Sequence, residues 1–101
     1  MKIKPGVDVL GLRPEILLAV LAAERIWTRY NAEALLTSGV DGRHKRNSAH
    51  YTGRAVDLRT RNLAEINRPR AAELLQEALG DAYDVVLEAD HCHVEYDPKG
   101  A

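Results

Sequence analysis

Apolar positions in the first third of the chain recur at intervals of three and four: Ile16, Val20, Ala23, Trp27 and Tyr30. That period puts them on one stripe of a helix, and it predicts a helix over residues 14–30. Pro14 suits the first turn, where its missing N–H has no partner to lose. Trp27 falls within the stripe and is expected in the core. A short apolar run over residues 34–37, ended by Ser38 and Gly39, reads as a strand. A polar loop is expected over residues 38–52, long enough that such segments are usually functional or disordered.

Residues 55–59 then alternate as a strand should. Val56 and Leu58 face one side, and Ala55, Asp57 and Arg59 the other. Thr60 or Asn62 can cap a short helical turn. A second helix is predicted over residues 68–79, with Asn67 as N-cap, Pro69 in its first turn and Gly80 as its stop. Its apolar residues are Ala71, Leu74, Leu75, Ala78 and Leu79. Residues 83–88 and 91–96 predict a β-hairpin turning at Ala89 and Asp90. The order helix, strand, loop, strand, helix, hairpin predicts an α+β domain: a small antiparallel sheet with helices packed on one side.

Length and charge narrow the possibilities. The 101 residues make one domain, residues 1–101, and a core this small gains stability from any metal it binds. Phe is absent, so Leu, Val, Ile and Ala must fill that core. A net charge of -1 argues against nucleic acid or a membrane surface as the main partner. Basic residues do cluster: Arg43, His44, Lys45 and Arg46, then Arg54, Arg59 and Arg61. They read equally as a solvated loop or as a grip on an anionic substrate. His44 itself is expected to be solvated.

A single cysteine, Cys92, cannot form a disulfide within the chain, and it is expected to be a buried small hydrophobe. Lys2, Lys4, Pro5, Gly6 and Asp8 interrupt any apolar signal-peptide core. The apolar run at residues 16–23 is too short to span a bilayer. Synthesis in the cytoplasm is therefore expected, as a monomer, with any action on the cell wall following release of the phage type.

Histidines and carboxylates supply the candidate chemistry. His91 and His93 lie two apart on a predicted strand, so both leave the same face, and Cys92 points away. His50 and Asp57 lie seven apart, a spacing that suits no single helix face, although a loop can fold His50 back over the strand. Two imidazoles and one carboxylate are a common catalytic zinc set, leaving a fourth tetrahedral position for water. Spacing alone makes this a weak signal.

The wording of the segment is more specific. Ser48-Ala49-His50-Tyr51-Thr52-Gly53-Arg54-Ala55-Val56-Asp57 fits S-x-H-x-x-G-x-A-x-D without a gap. This resembles the zinc D-alanyl-D-alanine carboxypeptidases and their phage endolysin relatives, the L-alanyl-D-glutamate peptidases. The wider fold group also holds hedgehog domains and penicillin-insensitive murein endopeptidases. The resemblance implies a hedgehog/DD-peptidase-like fold, with one zinc ion held by His50, Asp57 and His93. It implies hydrolysis of an amide bond in peptidoglycan stem peptides. The family's second block is an acidic residue followed three positions later by a ligand histidine, and here it reads Asp90-His91-Cys92-His93.

That block implies Asp90 as the general base for the attacking water, and a catalytic role short of ligation for His91. Asp90 would face away from both histidines in a regular strand, so it serves only if the turn swings it round. Glu88 is the reserve, and Glu95 shares the histidines' face. Upstream, Thr37-Ser38-Gly39 resembles the family's T-S-G, but Val40 and Asp41 replace the tyrosine and substrate-binding arginine that often follow. Arg43 or Arg46 can substitute, and Ser48 can touch substrate or its own loop backbone. The alternative is a zinc-binding module of the same fold without hydrolysis, as in the hedgehog branch.

Overall fold

The computed structural model describes residues 1–40 and 52–98. Its elements run β1 (Lys2–Ile3), α1 (Pro14–Arg29), β2 (Leu35–Ser38), β3 (Ala55–Arg59), a 3-10 turn (Glu65–Asn67), α2 (Arg68–Leu79), β4 (Tyr83–Leu87) and β5 (His91–Tyr96). The fold is α+β, with five strands in the order β1-β2-β3-β5-β4. The sheet is mixed rather than antiparallel as expected, because β1 runs parallel to β2. A strand of two exposed residues carries no periodic signal. It exists because the Lys2 and Lys4 N–H groups donate to the Ala34 and Leu36 carbonyls.

The apolar stripe of α1 is the centre of the core. Ile16, Ala19, Val20, Ala23, Ile26 and Trp27 are buried there with Ala71 and Leu75 of α2. Both helices cover the sheet face that carries Val56, Leu58, Cys92 and Val94. Burial of this kind contributes about 1.5–3 kcal/mol for each large apolar side chain. The opposite face carries Asp57, Arg59, His91, His93 and Glu95, so strand alternation separates the core from the polar chemistry. Ala78 of α2 is exposed, outside the buried stripe.

The caps differ from expectation. Asn67 has helical backbone angles and makes no side-chain cap bond, and the 3-10 turn leads directly into α2. Asn62 instead donates through Nδ2 to the Glu33 carbonyl at 2.6 Å. The Thr60 hydroxyl is buried without a hydrogen-bond partner, so neither residue caps a turn.

Glycines let the segment before α1 cross two backbones at close range. A Cβ on Gly39 would lie 2.3 Å from the Asp8 carbonyl oxygen, and one on Gly53 would lie 1.9 Å from that of Gly11. Hydrogen bonds fix both crossings: Val40 N–H to Asp8 O at 2.8 Å, and Arg13 N–H to Gly53 O at 2.9 Å. Gly53 of the H-x-x-G block thus packs against the start of α1. No described helix is long and apolar enough to cross a membrane.

Candidate metal and catalytic site

The register of β3 against β5 creates the site. Asp57 pairs with His93 and Arg59 with His91, so a carboxylate and an imidazole become cross-strand neighbours on the polar face. His93 Nδ1 lies 3.0 Å from Asp57 Oδ1, and His93 Nε2 lies 3.3 Å from Glu95 Oε1. Both carboxylates favour the imidazolium. The Asp57 hydrogen bond is the larger cause, and it raises the His93 pKa against the opposing effect of burial. His91 Nε2 is 3.9 Å from the same Asp57 oxygen and 3.0 Å from Glu88 Oε2.

The turn between β4 and β5 resolves the position of Asp90. Its carbonyl accepts the Thr60 N–H at 3.2 Å, which hooks the turn onto the end of β3. The Asp90 carboxylate then reaches His91 Nδ1 at 2.8 Å. That hydrogen bond, reinforced by the nearby His91 and Arg61 charges, holds the Asp90 carboxyl below the usual carboxylate range. The side chain is 65% exposed, so water can reach it. Asp90, His91 and Asp57 line one cleft of about 230 Å³ with Ser38, Lys4, Arg59 and Arg61.

The bulge in β2 shapes the near wall of this cleft. Leu36 pairs with Leu58 but Ser38 pairs with Asp57, so one extra residue, Thr37, is accommodated. Thr37 and Ser38 both line the cleft, and the Thr37 hydroxyl donates to the Asp57 carbonyl at 3.3 Å. Cys92 faces the core, where burial pushes its thiol up to about 12. It is therefore a protonated core residue rather than a thiolate donor.

Asp57 and His93 suit a metal by donor chemistry. Ligand distances of about 2.0–2.1 Å in a tetrahedral zinc site put neighbouring donor atoms roughly 3.3 Å apart, and the 3.0 Å between this oxygen and nitrogen is close to that. The expected third ligand, His50, lies outside the described residues, as do Arg43, Arg46 and Ser48. A second donor group is Asp84, Glu95 and Asp97, which could hold a metal ion, are each partly buried and share Glu95 with the His93 contact. Exposed acidic groups of that kind are common without an ion.

Sequence reasoning named Arg59 and Arg61 only within a basic cluster that read equally as a solvated loop or a grip on an anionic substrate, and it did not single out Lys4. The alternation of β3 already placed Arg59 on the face of Asp57. For Lys4 no sequence signal exists, because its place depends on the pairing of β1. No protein-family model matches this chain, and no curated protein matches it.

Proposed function

We propose that this chain is a zinc-dependent hydrolase acting on an amide bond of peptidoglycan stem peptides. The observation that carries the proposal is one polar sheet face on which Asp57 meets His93 and Asp90 meets His91, with Asp57, Asp90 and His91 lining one cleft. The S-x-H-x-x-G-x-A-x-D resemblance supplies the substrate class. His50, Asp57 and His93 are the proposed ligands. A zinc ion there supplies Lewis-acid polarisation of the scissile carbonyl and lowers the pKa of water.

The remaining work falls to this chain's own side chains. Asp90 is ionised at neutral pH and open to solvent, so its carboxylate can accept a proton from the attacking water and return it to the leaving amine. His91 holds that carboxylate through Nδ1 and turns Nε2 toward Glu88. Removing His91 would leave Asp90 ionised but free to swing away from the cleft.

Purified peptidoglycan incubated with the protein and analysed by mass spectrometry tests the proposal. Loss of terminal D-alanine would identify a carboxypeptidase, and new L-alanine or D-glutamate ends an endopeptidase. Asp90→Ala should abolish release while leaving zinc content intact. Stoichiometric zinc with no fragment released by the wild type would favour the non-catalytic module instead. Absence of zinc, with a melting temperature indifferent to zinc and chelator, would remove the site altogether.

A further inference from the structure

The cleft beside Asp57 and His91 brings together three cations from two distant parts of the chain. Lys4 comes from the extension of β1, where its N–H is bonded to Leu36 O at 2.9 Å. Arg59 ends β3, and Arg61 follows it. None of the three forms an ion pair with another described residue. The two carboxylates of the same cleft are already engaged, Asp57 with His93 and Asp90 with His91. The three cations therefore make no direct ion pair among the described residues, although Asp57 and Asp90 line the same cleft.

The backbone that presents these arginines is held from several sides. Buried Trp27 donates its indole N–H to the Arg59 carbonyl at 3.1 Å. The Arg68 guanidinium donates through Nε to the Thr60 carbonyl at 2.9 Å, and the Thr60 N–H bonds the Asp90 carbonyl at 3.2 Å. Three separate elements thus fix residues 59–60, and a guanidinium on fixed backbone loses less freedom when it grips a planar carboxylate. Thr37 and Ser38 add hydroxyl groups on the neighbouring strand.

We infer that Arg59, Arg61 and Lys4 form a subsite for a free carboxylate of the bound peptide, next to the bond-breaking residues. The inference rests on the hydrolytic reading of the same cleft. Its ligand class is an acidic peptide whose carboxylate lies within about one residue of the scissile amide. The substrate contact that Val40 and Asp41 do not supply at the family's usual arginine position would then come from the far end of β3.

Two measurements separate this inference from the hydrolytic reading. The first titrates glutarate, a small dicarboxylate, into the ¹⁵N-labelled protein. Glutarate should shift the amides of residues 4, 37–38 and 59–61, and the shifts should be lost in Arg59→Gln/Arg61→Gln. The second compares hydrolysis of a stem peptide with free carboxylates and of its amidated counterpart. The wild type should favour the free acid by about tenfold to hundredfold, mainly in KM, as expected for charge-assisted hydrogen bonds.

The double variant should lose that preference while its zinc content stays within about twofold. Arg25→Gln, an exposed change on α1, should keep both behaviours. Glutarate shifts around the cleft without any hydrolysis would overturn the hydrolytic reading and leave the subsite standing. Hydrolysis with equal use of both peptides, or glutarate shifts unchanged in the double variant, would overturn the subsite.

Discussion

Replacing Gly53 by alanine tests the close crossing at the end of the H-x-x-G block. Gly53 has φ 72°, and an added Cβ would lie 1.9 Å from Gly11 O, 2.9 Å from its carbonyl carbon and 3.2 Å from Leu12 Cα. The left-handed backbone costs an L-residue about 1–2 kcal/mol. Backbone cannot yield as a flexible side chain can, so overpacking adds about 1–3 kcal/mol. Gly11 is a natural control, with φ 83° and nothing within 4 Å of its would-be Cβ.

Gly11→Ala should therefore cost about 1–2 kcal/mol, and Gly53→Ala about 2–5 kcal/mol. Alanine also stiffens the unfolded chain, but by the same amount at both sites, so the difference isolates the collision. Urea unfolding followed by fluorescence of the single tryptophan, Trp27, gives both values at unchanged slope. At about 4–8 °C per kcal/mol for a domain near this size, the thermal midpoints should separate clearly. Equal costs for the two variants would refute the steric reasoning and leave Gly53 a conformational glycine only.

Other outcomes follow from the same geometry. In the metal-free protein the raised His93 pKa means its stabilising interaction is full below about pH 6.5 and is lost as pH rises through the folded value. Zinc must displace that proton, so its affinity, measured against a chromogenic chelator, should climb over the same range; a flat profile would separate His93 from the metal. With its thiol at about 12, Cys92 should react with a disulfide reagent at pH 8 only as fast as the protein opens, and fast stoichiometric labelling of the native state would contradict its burial. Trp27→Phe orphans the Arg59 carbonyl and should cost about 1–3 kcal/mol in urea unfolding beyond the loss of volume.

Local pattern was enough for much of this molecule. The stripe from Ile16 to Trp27 determined α1, and strict alternation determined β3 from Ala55 to Arg59 and the face shared by His91 and His93. The reason is physical: an amphipathic period must bury its apolar side wherever the element ends up. What period cannot carry is register and long-range pairing. Two residues of β1 became a strand only because the Ala34 and Leu36 carbonyls were available, and this made the sheet mixed. Asp57 faces His93 because β3 and β5 pair at that register.

Asp90 escapes the alternation that would turn it from His91, because Thr60, just past the end of β3, holds its carbonyl. Lys4 joins Arg59 and Arg61 through the same sheet. The sequence alone thus determined which side chains share a face. Only the tertiary structure decided which of them meet, because hydrogen bonds between distant strands set their distances.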